Sequence, residues 1–149
     1  MIEVEESFVR QAIALAAQAG KRGDPPFGAL LASGDAVLLT AESTANTEGN
    51  TTRHAETNLV QKAIQKLTPE QIAGATLYTS AEPCVMCTGA IYWAGIRRVV
   101  YALPREEFVK LGRSSFDVSC RELFARANEK IEVAGQFLIE EALQVHKRT

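Results

Sequence analysis

The residues best suited to chemistry are two cysteines three positions apart, Cys84 and Cys87, and a histidine upstream, His54. Thiolate and imidazole are ligands that zinc prefers in proteins, so this set predicts a zinc site. Three protein ligands leave the fourth tetrahedral position of zinc open, which is typical of catalytic rather than structural sites. Glu56, two residues after the histidine, supplies a carboxylate that could transfer protons beside the metal.

Two other interpretations of the cysteine pair are open. Zinc could staple two helices without catalysis, and a fourth Cys or His would then complete its coordination. The unused candidates are Cys120, in an amphipathic segment typical of a core residue, and His146, in a polar tail. A redox role for the C-x-x-C pair leaves His54 and Glu56 unexplained. The catalytic zinc interpretation is therefore favoured.

The composition is that of one soluble domain. The chain has 149 residues, of which 46% are hydrophobic, enough for a single domain over residues 1–149 with a real core. With a net charge of −2, the chain lacks the overall positive charge that is typical of nucleic-acid-binding domains. The three cysteines include one close pair, which favours a reducing compartment, and neither a signal peptide nor a membrane span of roughly 20 apolar residues is recognisable. We therefore expect a cytoplasmic protein.

Hydrophobic periodicity predicts the elements that position the reactive residues. Helices are expected over residues 6–19, 54–67, 83–94, 104–111, 118–127 and 137–146, and strands over 29–32, 36–41, 75–79, 97–102 and 131–134. Because helices alternate with strands, the predicted fold class is α/β, with a sheet between helical layers. Both ligand clusters stand where a helix begins, and the free N–H groups and dipole there favour the thiolate that binds metal.

The order His54-Ala55-Glu56, then Pro83-Cys84-Val85-Met86-Cys87, resembles the H-x-E and P-C-x-x-C signature of zinc nucleobase deaminases. Nearly the whole chain is similar to the cytidine-deaminase-like superfamily, and within it to bacterial guanine deaminases, fungal-type cytosine deaminases and tRNA adenosine deaminases. The resemblance implies a three-layer α/β/α sandwich around a five-stranded mixed sheet. It also implies a homodimer and one Zn²⁺ per chain on His54, Cys84 and Cys87, with Glu56 as the proton shuttle.

The activity that the resemblance implies is hydrolytic deamination of a nucleobase, in which an exocyclic amine becomes an oxo group and ammonia is released. A free base is expected, guanine first, with cytosine or a related aminopurine, pyrimidine or triazine behind it. Where tRNA deaminases carry a basic, glycine-rich segment, residues 102–108 are acidic. A tRNA-specific adenosine deaminase is therefore the alternative, and a non-catalytic zinc-stapled binding module is the second alternative.

The resemblance also suggests how the substrate is held. Phe27 and Trp93 would line the pocket and pack against a planar ring. The backbone at Ala55 and around Glu82 would hold the reacting base beside the metal. Asp117 would meet exocyclic N–H groups of the substrate, its alternative role being the N-cap of a helix.

Relatives commonly have an asparagine in the loop before the histidine, where it contacts the substrate. The nearest residues here are Ser43 and Asn46. A buried polar group left unpaired discriminates between substrates more strongly than a small difference in apolar contact. We therefore expect Ser43, Asn46 and Asp117 to decide selectivity more than the aromatic residues do.

Overall fold

The computed structural model describes residues 2–147. The strands are β1 (Gly28–Ser33), β2 (Ala36–Glu42), β3 (Thr76–Ala81), β4 (Arg98–Leu103) and β5 (Glu132–Gly135). The helices are α1 (Glu6–Arg22), α2 (Ala45–Glu48), α3 (Ala55–Lys66), α4 (Pro69–Ala73), α5 (Val85–Ala94), α6 (Arg105–Lys110), α7 (Cys120–Ala125) and α8 (Ile139–Lys147). Every predicted element is present, and α2 and α4 are additional. These two helices have four and five residues, which is too short for helical periodicity to show.

The strands form one mixed sheet in the order β2-β1-β3-β4-β5. Strand β1 pairs antiparallel with both β2 and β3. The pairs β3–β4 and β4–β5 are parallel. The predicted five-stranded mixed sheet is confirmed.

Alternate strand side chains face two different helical layers, because successive residues of a strand point to opposite faces. In β4, Val99 and Tyr101 join the core that contains α3, α4, α5 and α7. Their neighbours Val100 and Ala102 join the core that contains α1, α6 and α8. The sheet is therefore covered on both faces, as the α/β/α prediction requires.

Cys84, Cys87 and Cys120 are all free thiols. Within residues 2–147, each helix is too short or too polar to cross a membrane.

Asp24 anchors the segment that leads to His54. The side chain of Asp24 is buried, and its Oδ1 accepts hydrogen bonds of 2.8 Å from the backbone N–H groups of Asn46 and Thr47. Its Oδ2 accepts a bond of 2.6 Å from the Thr47 hydroxyl and pairs with Arg22 at 2.6 Å. One carboxylate therefore fixes the start of α2, and the loop before the predicted metal ligand, to the end of α1.

Asp24→Asn is expected to lower the free energy of unfolding by about 2–4 kcal/mol at pH 7, because an amide cannot accept all four bonds. Burial raises the pKa of Asp24, but hydrogen bonds from Thr47 and Arg22 outweigh it and lower the pKa to about 2. With a depressed folded-state pKa, this stabilisation is present above the ordinary pKa near 4 and is lost as the pH falls towards 2.

Urea unfolding of the wild type and the variant at pH 7 and pH 2.5 measures this loss. The difference between the two proteins should shrink at pH 2.5, whereas a constant difference would contradict the assignment. Asp35→Asn, at an exposed turn between β1 and β2, is the matched control and should change stability little at either pH.

Candidate metal centre and active site

The three predicted metal ligands lie together at the starts of two helices. His54 is the N-cap residue of α3 and Cys84 is the N-cap residue of α5, and neither side chain bonds its own helix. Cys87 lies in the first turn of α5 and is buried. The Sγ atoms of Cys84 and Cys87 lie 3.6 and 3.5 Å from Nδ1 of His54. The two N-cap side chains are thus directed at one another instead of at their own helices.

The spacing of these atoms fits zinc. Bonds of about 2.3 Å to sulfur and 2.0–2.1 Å to nitrogen, at a tetrahedral angle, place sulfur and nitrogen roughly 3.5 Å apart. The observed separations of 3.5 and 3.6 Å match this value. All three ligand atoms lie within 4.8 Å of one another, and in residues 2–147 no fourth Cys, His, Asp or Glu joins the group. The donor set therefore fits a zinc ion with one open position.

Neither spare candidate ligand lies in this group. Cys120 is buried in the core beneath α3 and α5. His146 is also buried, and its Nδ1 accepts a hydrogen bond of 3.2 Å from Nε of Arg113. Burial, and then the charge of Arg113, lower the pKa of His146 to about 4. The prediction of a polar tail at His146 is wrong, because α8 packs against α1 and carries this ring to Phe27.

Hydrogen bonds orient the ligands and adjust their proton affinity. The backbone of Thr51 hydrogen-bonds the imidazole of His54, and a bond with Cys84 is the main cause of the raised pKa of that imidazole. A hydrogen bond from Cys87 lowers the pKa of Cys84 to about 4 against the effect of burial. The same bond, with burial, raises the pKa of Cys87. The site thus holds a thiolate, the form of cysteine that binds metal, next to a fixed imidazole.

Glu56 lies in the first turn of α3 and is 5% exposed. Burial raises the pKa of Glu56 to about 7, and the negative charge of Cys84 adds to this effect. Its own backbone amide, the charge of His54 and the side chain of Thr79 on β3 act in the opposite direction. A buried carboxyl group beside the metal ligands, with a pKa near neutrality, is suited to general acid–base catalysis. The contribution of Thr79 was not foreseen from the sequence.

A pocket of about 480 Å³ opens beside His54 and Cys84. Its walls are Thr51 before α3, Val85 with Met86 at the start of α5, and residues 114–116 after α6. The volume lies in the usual range for small-molecule sites, about 300–1,000 Å³. Sequence reasoning missed these walls, although Phe116 in a polar loop was a visible signal.

The prediction that Trp93 lines this pocket is wrong. Trp93 is 85% exposed and lies on the outer face of α5, where its ring contacts that of Tyr92. It follows Cys84 by nine residues, which turns it about 180° around the helix from that ligand. Phe27 is half-buried and packs edge-on against Phe108 at 6.1 Å and against the ring of His146 at 5.1 Å. It fills the core between β1, α6 and α8 and is not part of the pocket walls.

Asp117 lies outside the pocket walls, in contrast to its predicted contact with the substrate. Its side chain is fully exposed and lies 3.3 Å from Arg105. The alternative prediction, that Asp117 caps a helix, is also wrong. Ser119 is the N-cap of α7, and it forms a reciprocal capping box with Glu122.

Ser43 and Asn46 stabilise the loop before α3, and neither is in the pocket walls. The hydroxyl of Ser43, which is 1% exposed, donates to the carbonyl oxygen of Arg53 at 3.4 Å. The side-chain amide of Asn46 donates to the carbonyl oxygen of Gly23 at 2.7 Å. Because both side chains are satisfied within the fold, the expectation that they select the substrate has no support from these contacts.

Glu82 and Ala55 lie next to the metal ligands but are used inside the fold. The carboxylate of Glu82 is buried and accepts hydrogen bonds from the backbone N–H groups of Arg105 at 2.9 Å and Cys120 at 2.8 Å. Its own N–H donates to the carbonyl oxygen of Leu103. Ala55 is completely buried at the first position of α3. Both side chains are occupied inside the fold, and the role expected of the backbone at these positions, to hold the reacting base beside the metal, stays a prediction.

Curated relatives of the chain include deaminases that act on different substrates. It is 34% identical over 150 residues to a probable cytosine deaminase of Schizosaccharomyces pombe, covering 97% of this chain and 91% of the relative. It is 36% identical over 108 residues to the guanine deaminase of Bacillus subtilis, covering 72% and 69%. It is 33% identical over 97 residues to the tRNA-specific adenosine deaminase of the same species, covering 65% and 60%.

A solved structure and a family model also match the chain. A protein solved in complex with 2,6-diaminopurine superposes with a TM-score of 0.84 at 25% identity, covering 99% of this chain and 82% of the other. The family model described as the cytidine and deoxycytidylate deaminase zinc-binding region matches residues 2–103, which include His54, Glu56 and both cysteines of the metal group. The chain is therefore a member of the zinc-dependent cytidine and deoxycytidylate deaminase family.

Proposed function

We propose that the substrate of this zinc-dependent hydrolytic deaminase is a free nucleobase, with cytosine and guanine as the first candidates. The observation that supports the proposal most is the chemical nature of the side chains that line the pocket. No Lys, Arg, Asp or Glu side chain is among the described residues that line it. Enzymes that hold RNA depend on Lys and Arg contacts to phosphate groups. A pocket whose walls, apart from the metal ligands His54 and Cys84, carry no charged side chain suits a small neutral ring.

The comparisons support both bases. The similarity to a probable cytosine deaminase extends over 97% of the chain, whereas the similarity to a guanine deaminase extends over 72%. Two of the residues that favoured guanine, Trp93 and Asp117, lie outside the pocket walls. The sequence resemblance favours guanine over cytosine as the substrate, but the structure removes that preference. Cytosine and guanine are therefore equal candidates.

The proposed chemistry depends on Glu56 and the metal ligands. When zinc is bound, it supplies a Lewis acid that activates water at neutral pH. Glu56 takes a proton from the attacking water and delivers it to the ring nitrogen next to the carbon that bears the amine. It then carries the second proton to the amine nitrogen, which leaves as ammonia. The water oxygen stays on the ring as the oxo group, so water plus amine gives oxo product plus ammonia.

The surroundings of Glu56 suit this role. Because it is 5% exposed, its proton exchanges with bulk water less readily than that of a surface carboxylate. The first turn of α3 carries both His54 as N-cap and Glu56, so one helix end positions a metal ligand and the proton carrier together.

Ammonia release by the zinc-loaded protein tests the proposed substrate. The panel is cytosine, guanine, the corresponding nucleosides and a tRNA anticodon stem-loop. We expect release from a free base, with kcat/KM at least tenfold above that for its nucleoside. Release from the stem-loop alone would overturn the proposal and assign the chain to the tRNA-specific deaminases that are also among its relatives.

If protein with one zinc per chain releases ammonia from no member of the panel, the proposed substrate is also overturned. That result would favour the non-catalytic module in which zinc only links two helices. The homodimer implied by the resemblance stays a prediction, which the mass of the protein in solution would test.

A further inference from the structure

Phe116 is an exposed aromatic side chain at the edge of the pocket. It is 71% exposed and forms part of the same pocket wall as Ser114 and Ser115. On another side of the pocket is Met86, which is 37% exposed. Exposed apolar side chains that gather beside a cavity mark a binding surface more often than scattered ones do. The two side chains are thus available to contact a bound molecule.

The segment that carries Phe116 is fixed to the metal site by Glu82. This buried carboxylate lies two residues before Cys84. It accepts hydrogen bonds from the backbone of Arg105, where α6 begins, and of Cys120, where α7 begins. These two points bracket Phe116 in the chain. Glu82 therefore ties both ends of the segment that carries this pocket wall to a point two residues before a metal ligand.

Two further contacts hold the loop between those points. Arg105 pairs with Asp117, the residue next to Phe116, at 3.3 Å. Arg113 donates to His146 at 3.2 Å and lies over the ring of Phe27, 5.4 Å from its centroid. The backbone on both sides of Phe116 is therefore tied to the body of the protein while its ring stays exposed.

We infer that Phe116 is a substrate-binding residue of this deaminase, which packs its ring against the face of a planar nitrogen heterocycle. The hydroxyl groups of Ser114 and Ser115 lie on the same wall, where they can meet polar edge groups of that ring. The inference rests on the proposed function, because it names the residue that holds the base. It replaces Trp93 and Phe27, the aromatic residues that the sequence suggested for this task.

Phe116→Ala is expected to raise KM roughly 5- to 150-fold, the range that stacking of one base on an aromatic ring contributes. Turnover at saturating substrate should fall less, because the residue binds the ring and does not transfer protons. Phe116→Leu keeps apolar contact without an aromatic face, so its KM should lie between those of the wild type and Phe116→Ala.

Trp93→Ala is the matched control. It removes an aromatic side chain that is even more exposed, at 85%, but lies outside the pocket. Its KM should stay within about twofold of the wild-type value, since surface substitutions away from a site have small effects. Zinc content and melting temperature of all three variants check that the fold is intact.

The outcomes separate this inference from the proposed function. If the wild type deaminates a free base and Phe116→Ala has an unchanged KM, the inference is overturned and the proposed function stands. If the wild type acts only on a nucleoside or RNA, the proposed substrate fails, and the KM of Phe116→Ala for that substrate still decides whether the ring binds it. If the wild type deaminates no member of the panel, both are overturned.

Discussion

Glu56→Gln is expected to lower kcat by roughly 10²- to 10⁴-fold, the usual contribution of one general acid–base group. Glutamine keeps the size of the buried side chain but can neither take a proton from water nor deliver one to the departing amine. Because Glu56 is not one of the three grouped ligands, the variant should still bind one zinc per chain. Kinetics of ammonia release, together with zinc analysis of the same sample, measures both quantities.

Glu70→Gln is a suitable control for this variant. Glu70 occupies the second position of α4, as Glu56 does in α3, but it is exposed. The control should have wild-type kcat. A Glu56→Gln protein with kcat within threefold of the wild type and full zinc would remove Glu56 from the proton path. A variant that loses its zinc would instead show that the carboxylate supports the metal.

Cys87→Ala is expected to abolish stoichiometric zinc binding and, with it, ammonia release. Two ligands, His54 and Cys84, would remain on a site that needs three. A ligand that binds the folded chain at 1,000 times its Kd stabilises it by about 4 kcal/mol. For a chain of this size, that loss corresponds to a fall of roughly 10 °C in melting temperature.

Cys120→Ala separates loss of metal from loss of a buried thiol. Cys120 and Cys87 are both 1% exposed, so each substitution leaves a similar small cavity. Cys120→Ala should retain one zinc per chain. A chelator should lower the melting temperature of the wild type and of Cys120→Ala, and should leave that of Cys87→Ala unchanged. A chelator response in Cys87→Ala equal to that of the wild type would place the metal elsewhere.

The elements of this fold follow largely from local pattern. Alternation in β4 sends Val99 and Val100 to opposite cores, and the repeat of apolar residues in α1 and α3 marks their buried faces. The short helices α2 and α4 were missed because they contain about one turn each. In α4 the signal was present, since Thr68 and Gln71 form a capping box around Pro69. Pro69 indicates the end of the preceding helix, but a proline also suits the first position of a new one.

The metal group was predictable because its residues are specified by type and local spacing. Cys84 and Cys87 are three residues apart at the start of one helix, a separation that places both thiols near the same helix end. His54 and Glu56 are similarly close at the start of another. Few functions other than zinc-dependent deamination require a histidine, a glutamate and two cysteines in this order and at these spacings. The sequence by itself therefore determined which residues could hold zinc and which reaction class the family implies, and it predicts Glu56 as the proton carrier.

The substrate pocket was decided by tertiary structure. Its walls come from the loop before α3, the start of α5 and residues 114–116, which are far apart in the chain. Trp93, which the family resemblance places in the pocket, faces solvent, because the turn of α5 directs it away from Cys84. The polar residues around His146 predict a solvated side chain, but it is buried because α8 packs against α1. Local spacing fixes which residues share a helix end, but only packing between distant segments fixes which side chains face the same cavity.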